Sequence, residues 1–260
     1  MKSPMLASIA VLLACYSFGQ TATPAFEVAS VKLIGSVPVG FSQYPRRSGG
    51  RITWNATLGF LCTYAYHLPA WRIIGADKDQ SFYELQATMD ASATEDEVRL
   101  MLQKLLEDRF KLAVHRETKE FQGYALVVAK NGPKIKPAAL EESPPLPEYF
   151  KGKPPAAFEG RIIVSMEGRG TSALTGRGIS TSQLADTLAD TLGTFVLDQT
   201  GMIGKYYFGF TFLAVNGVPA DAPAPAIFEA LQEELGLKLE KQRGSVEVLV
   251  VDRVEKPSQN

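Results

Sequence analysis

The chain has 260 residues, 45% of them hydrophobic, and balances 27 basic against 28 acidic side chains for a formal net charge of -1. That much apolar content can bury one large core or two modest ones, which excludes a globally disordered chain. The even spread of charge leaves no electrostatic footprint for nucleic acid or an anionic membrane surface.

Residues 1–19 hold one lysine, an apolar run from Met5 to Cys15 and a small-x-small ending at Ser17-Phe18-Gly19. This is the pattern of a secretory signal peptide, and the run covers only about half of the roughly 20 residues a membrane-spanning helix needs. The mature chain is therefore expected in the periplasm or outside the cell, without a transmembrane segment. Leu12-Leu13-Ala14-Cys15 also resembles a lipoprotein box, which makes Cys15 a candidate lipid anchor. Cys62 then has no disulfide partner, and its place on an apolar helix face suits a small buried hydrophobe.

Ala25–Lys32 alternates apolar and polar residues as a short strand, and the glycines and prolines of Ile34–Gly50 mark a loop with Arg46 and Arg47 at its end. Arg51–Ala56 is strand-like. Thr57 can cap a helix whose apolar residues Leu58, Leu61, Cys62, Ala65 and Leu68 share one face, and Pro69 ends it. Trp71–Gly75 and Phe82–Met89 follow as strands, the second with Tyr83, Leu85, Ala87 and Met89 on one side. Thr94 and Glu97 form a capping box for a helix running to about Arg109, striped by Val98, Met101, Leu102, Leu105 and Leu106. Lys111–Lys119 and Gly123–Lys130 close this half as two further strands.

The stretch 132–160 contains seven prolines and reads as an extended linker between a half at 20–131 and a half at 161–260. Beyond it, Leu174–Leu213 reads as strand, capped helix, strand, glycine turn and strand. Ser180 and Gln183 form a second capping box, and Gly193 occupies the position of a helix C-terminal glycine. Thr194–Asp198 is a strand. Gly201 and Gly204 frame a turn before Tyr206–Leu213, a strand with aromatic residues on both faces. A helix from about Pro225 stops at Gly236, and Leu237–Lys241 and Val246–Val254 are expected to pair as a hairpin across Arg243-Gly244.

Both halves run strand, helix, strand, strand, helix, strand, strand. WRIIG aligns with TFVLD, FYELQATM with YYFGFTFL, LEDRFKLAVH with LQEELGLKLE, and GYALVVAKNGPK with SVEVLVVDRVEKP. The expected fold is thus α+β, built from an internal duplication joined by the proline-rich linker.

FEVASVK near the mature start, RFKLAVHRETKEFQGYALVVAKNGPK, LTGRGIS, LDQTGMIGKYYF and the terminal LQEELGLKLEKQRGSVEVLVVDRVEKPSQN together resemble a soil-associated, acidobacterial-type family of exported proteins. The resemblance covers the mature chain and implies no activity, since the family carries a domain of unknown function. In Gly59-Phe60 and the short stretch between Gly75 and Phe82 the chain departs from that family's pattern. More distantly, each half resembles the short N-terminal domains of secretins and TonB-dependent receptors, which bind other envelope proteins.

No catalytic set stands out. His67 and His115 are the two histidines, with no partner at metal-ligand spacing, and no G-x-S-x-G or S-x-x-K occurs. His67 reads as a helix-end residue, and His115 falls on the exposed face of its strand. Glu117, Glu120, Asp198 and Glu240 are the carboxylates that could pair for hydrolysis, though on strands such residues usually face solvent. Gly168-Arg169-Gly170 and Gly176-Arg177-Gly178 lack a Walker ending and read as turns, the second leading into the Ser180 cap. Asp198-Gln199-Thr200-Gly201 is a strand-ending turn of the same kind. Tyr64, Tyr66, Trp71, Tyr83, Tyr206, Tyr207 and Phe208 cluster around the strand-turn-strand units of both halves. Aromatic residues beyond the needs of a core can serve recognition. Tyr66, Trp71, Arg177, Asp198 and Tyr206 are the candidate binding residues, and no catalytic residue, metal or cofactor is assigned. The function that follows is a non-enzymatic binding module for an envelope protein, peptide or glycan. Its alternative is a secreted hydrolase with a site between the halves, using His115 or a carboxylate as base.

Overall fold

A computed structural model describes residues 24–34, 42, 44–135, 137–138, 158–168, 171–213 and 226–257. The signal segment, Cys15 and most of the proline-rich stretch lie outside them. Before that stretch come β1 (Val28–Ile34), β2 (Arg46–Ser48), β3 (Arg51–Thr57), α1 (Leu58–Tyr66), β4 (Ile73–Ile74), β5 (Phe82–Thr88), α2 (Glu95–Phe110) and β6 (Ala113–Val128). After it come β7 (Arg161–Gly168), β8 (Thr171–Ile179), α3 (Thr181–Leu192), β9 (Val196–Asp198), β10 (Tyr206–Leu213), α4 (Ala226–Ala230) and β11 (Leu237–Arg253). The fold class is α+β.

Three sheets carry these strands. The first has the order β1-β5-β3-β2 and the second β10-β8-β7, all neighbours antiparallel. The third, β4-β11-β6-β9, is different in kind: β6 and β11 pair antiparallel along nearly their whole length, while β4 joins β11 and β9 joins β6 in parallel. The two short flanking strands are thus exchanged, each lying on the long strand from the other side of the proline-rich stretch.

Local chemistry explains the helix ends. The Thr57 side chain accepts from the Phe60 N–H at the start of α1, and Thr94 and Ser180 form complete capping boxes with Glu97 and Gln183. Each cap satisfies backbone donors that a helix start leaves open, worth about 1 kcal/mol. At the C-termini, α3 ends on Gly193 and the π turn after α4 ends on Gly236, both left-handed as glycine allows. The corresponding positions after α1 and α2 are His67 (φ 51°) and Lys111 (φ 50°), side-chain-bearing residues in a conformation that costs them about 1 kcal/mol.

Apolar alternation then assembles two main cores. Trp54, Ala56, Tyr83 and Leu85 of the first sheet pack with Leu58, Leu61 and Cys62 of α1 and Leu102, Leu106 and Phe110 of α2. Leu174, Tyr206, Phe208, Phe210 and Phe212 of the second sheet pack with Leu184 and Leu188 of α3 and with Ile227 and Leu231. The β6–β11 ribbon runs from one core to the other. Leu112, just before β6, lies in the first core and Leu126 in the second; Leu237 at the start of β11 lies in the second core and Leu249 near its end in the first.

Several expectations need correction. Trp71–Gly75 is only partly a strand, because Pro69 opens a 3-10 turn over Ala70–Arg72 and leaves β4 two residues long. The expected pair Lys111–Lys119 and Gly123–Lys130 is the single strand β6, and the hairpin across Arg243-Gly244 is the uninterrupted strand β11. Gly123 and Gly244 are not turn residues. A Cβ on Gly123 would meet the Phe195 carbonyl oxygen at 2.5 Å and its ring at 2.7 Å, and one on Gly244 would meet the same ring at 3.0 Å. In β10 the aromatic residues are mostly on one face, with Tyr206, Phe208, Phe210 and Phe212 all buried. Strands β2 and β7 went unread in the sequence.

Candidate functional site

A cleft of about 870 Å³ opens where the two cores meet. One wall is α1, through Phe60, Thr63, Tyr64 and the cap residue His67; the opposite wall is α3, through Asp186, Ala189 and Asp190. Gly244, Ser245 and Val246 of β11 form its floor, and Trp71 and Phe195, which precede the exchanged strands β4 and β9, stand at its base. Arg72, Arg99 and Tyr44 also line it, with Leu68, Val196 and Leu197 adding apolar surface. Helix α1 follows β3, which lies between β5 and β2, and α3 follows β8, which lies between β10 and β7.

The parts of this lining are held firmly. Arg72 donates from Nε to the Glu247 carbonyl at 2.8 Å, which ties the 3-10 turn to the ribbon. The Trp71 ring meets Phe121 of β6 edge-on at 6.2 Å, and Trp71 also packs against the second core although it comes from the first half of the chain. Tyr64 is wedged edge-on against Trp54 at 5.5 Å and carries the Arg99 guanidinium over its ring at 5.8 Å. Burial, followed by its hydrogen bond to Glu95, pushes the Tyr64 phenol up to about 12, so it stays a neutral donor.

Among the described residues, Trp71 Nε1 and Arg99 Nε are buried without a hydrogen-bond acceptor. Buried donors without partners are uncommon in folded proteins, and each costs about 1–3 kcal/mol. Asp186 and Asp190 stand one helical turn apart at the exposed rim. Neither belongs to an ion pair among the described residues, whereas Asp96, Asp108 and Glu247 all do. Partial desolvation, and then the charge of Asp186, raise the Asp190 carboxyl above its ordinary range. His67 adds an exposed imidazole from a left-handed backbone that glycine would adopt without strain.

Of the five residues anticipated for binding, the cleft takes in one, Trp71. Tyr66 packs partly buried against the first core. Arg177 and Tyr206 are buried with the second sheet, where the Tyr206 hydroxyl donates to the Ile203 carbonyl. Asp198 ends β9 and accepts from the hydroxyls of Thr181 and Thr200 and from the Thr200 N–H; partial burial opposes these bonds, but they hold its carboxyl below the usual range. These residues therefore form no common site with Trp71. His115 lies away from the cleft, its Nδ1 2.9 Å from Asp252. Cys62 is buried at the heart of the first core, and burial lifts its thiol to about 12. Among the described residues, no group of three or more His, Cys, Asp or Glu side chains converges as metal ligands, and no helix is long and apolar enough to cross a membrane.

Asp186, Asp190 and Phe195 were missed in the sequence. A signal for the aspartates was present: Leu-Ala-Asp-Thr occurs twice in succession in α3, placing two acids at i and i+4 with no lysine or arginine anywhere in the helix. Like charges at that spacing disfavour a helix, so an uncompensated pair asks for an outside reason. Phe195 gave no such signal, since its role depends on glycines about fifty and seventy residues away in β11 and β6.

Residues 60–254 match a family described as a protein of unknown function (DUF3738), and the chain belongs to that family. No curated protein and no solved structure matches it.

Proposed function

We propose that this member of the DUF3738 family is an exported, non-enzymatic binding module whose ligand enters the cleft between α1 and α3. One observation carries the reading: a cleft of about 870 Å³ is lined by aromatic side chains whose positions the fold has already fixed, Tyr64 against Trp54 and Trp71 against Phe121. A preformed site of this kind avoids ordering costs on binding. The signal-peptide pattern of residues 1–19 supports export, with Cys15 as the anchor if the lipoprotein box is used. The resemblance to exported soil-associated proteins and to secretin and TonB-receptor N-terminal domains supports a binding role at the envelope.

The same proposal includes an origin by internal duplication. The order β5-β3-β2 in the first sheet corresponds to β10-β8-β7 in the second, α1 to α3, β4 to β9, and β6 to β11. On this reading the cleft lies between duplicated helices, and the proline-rich stretch is the join between copies.

A second reading has a specific observation in its favour. His67 and two carboxylates, one with a raised pKa, share the cleft, which is the composition of an acid–base site. Both readings meet in one experiment on Val246→Trp, which places a large ring on the cleft face of β11, the face that Gly244 shares, where a strand accepts it. Binding to members of peptide and glycan libraries by the full chain, lost in Val246→Trp at unchanged thermal stability, is the expected outcome. Turnover on a hydrolase panel that vanishes in Asp190→Asn would replace the binding reading with the enzymatic one.

A further inference from the structure

We infer that the outer edge of β7 is a dimerisation surface, on which β7 of a second copy of this chain adds in antiparallel register and joins two three-stranded sheets into one. This strand lies at the edge of the second sheet, with β8 as its strand neighbour, and contributes nothing to the lining of the cleft. Between Arg161 and Glu167 it reads Ile162, Ile163, Val164, Ser165 and Met166, without a charge or a proline. Proteins avoid that composition at an open edge, because the row of backbone donors and acceptors there invites another strand. The other edges among the described residues are each blunted. Strands β2, β4 and β9 are two or three residues long, and β2 carries Arg46 and Arg47. β1 carries Lys32, and Arg109 donates to its Ala29 carbonyl at 3.3 Å. β10 is bridged at its start by Pro137 and has Gly209 in its middle. The ladder between β7 and β8 shifts register only after Met166, at the hairpin end, so Arg161–Met166 presents a regular edge.

The second core also runs out at this edge. Val164, Leu174 and Phe210 stand in one row across the sheet and on one face. Leu174 is 0% exposed and Phe210 5%, but Val164 is 52% exposed. Opposed side chains keep their face across an antiparallel pair, so a two-fold axis through Val164 continues the row with the same three residues of the second copy in reverse order. Each copy then covers the other's valine. The same register sets Ile162 against Met166 and Arg161 against Glu167 at both ends of the pairing. Charge matches itself here, whereas an axis through Ile163 would set Arg161 against Ser165 and lose the ion pair. Arg161 gains from an acid, because its neighbour across the β7–β8 ladder is Arg177, and like charges in that position disfavour a sheet. Helix α3 packs on the face of Leu174, so both copies carry it on the same side of the joined sheet.

Sedimentation equilibrium of the full chain tests the proposal, and a reversible dimer in the micromolar range is expected. Val164→Lys sets two ammonium groups against each other on the axis. It should leave only monomer at an unchanged urea midpoint, since the side chain it replaces is half exposed. Arg161→Glu and Glu167→Arg should each raise the dissociation constant about tenfold, because each turns two attractive pairs into repulsive ones. Mixed in equal amounts, these two variants should recover dimers containing one copy of each, as chains with two acids then meet chains with two bases. A monomer at every concentration into the millimolar range would overturn the proposal, and so would a dimer that Val164→Lys leaves intact. Two folded charge variants whose mixture recovers no dimer would overturn the antiparallel register and the pairing built on it.

Discussion

Asp190 is the side chain on which the electrostatics of the cleft can be read most directly. Its carboxyl is raised by desolvation and by Asp186, so the folded state holds its proton more tightly than the unfolded state does. A group shifted in this direction costs nothing at low pH, where it is protonated in both states. The cost appears as pH climbs past the ordinary aspartate value of about 3.9 and is complete above the raised one. Asp190→Asn should therefore be neutral near pH ~3 and stabilising near pH ~7, by about 0.3 kcal/mol, the scale of a like-charge pair at i and i+4 on an exposed helix. Urea midpoints of the two proteins at both pH values measure this, and a gain confined to acid would contradict the assignment. Asp198 behaves in the opposite sense, because Thr181 and Thr200 stabilise its charged form. At this scale the sequence was partly legible. It offered Asp198 and its turn, whose hydrogen bonds are local, and it offered Trp71 by aromatic character alone. It did not offer the isolation of Asp190, which depends on what faces α3 across the cleft.

Among the elements, the helices were read most faithfully and the long strands least. A capping box is complete within four residues, so Thr94 with Glu97 and Ser180 with Gln183 announce α2 and α3 before any tertiary contact exists. Glycine inside an apolar strand is ambiguous, since a turn and a close approach by another chain segment both select it. Gly123 and Gly244 belong to the second case: the backbone and ring of Phe195 lie against Gly123, and the Tyr124 N–H bonds to the Phe195 carbonyl at 3.0 Å. Gly123→Ala should thus act as an overpacking substitution and lower stability by about 1–3 kcal/mol. Turn-forming glycine would tolerate the same change only if its φ were negative, so the size of the loss does not by itself identify the cause. Combining it with Phe195→Leu does. If the ring is what alanine strikes, the double variant should lose clearly less than the sum of the singles, and additive losses in equilibrium unfolding would place the strain elsewhere.

The whole molecule is tied together by the third sheet in a way that two consecutive domains are not. Each long strand begins in the core of its own half and ends in the other, and the short strands β4 and β9 cross in the same manner. The exchange was not legible in the sequence, because register between β6 and β11 is decided by contacts more than a hundred residues apart. The floor and base of the cleft come from β11 and from the segments leading into the exchanged strands, while its walls belong one to each core, α1 to the first and α3 to the second. Unfolding one core therefore strips edge residues from the other, and neither has an independent transition to make. Leu126 provides the decisive variant. It is encoded in the first half and fully buried in the second core, so Leu126→Ala should cost about 2–5 kcal/mol. Read in a Trp71→Phe background, since Trp71 packs against the second core, the loss should appear equally in the fluorescence of Trp54, buried in the first core, and in the amide protection of α3 in the second. A single urea midpoint shifted by the same amount in both probes is the expected result. If α3 lost protection while Trp54 kept its native signal, the two cores would be independent, and a cleft built at their junction could not be preformed.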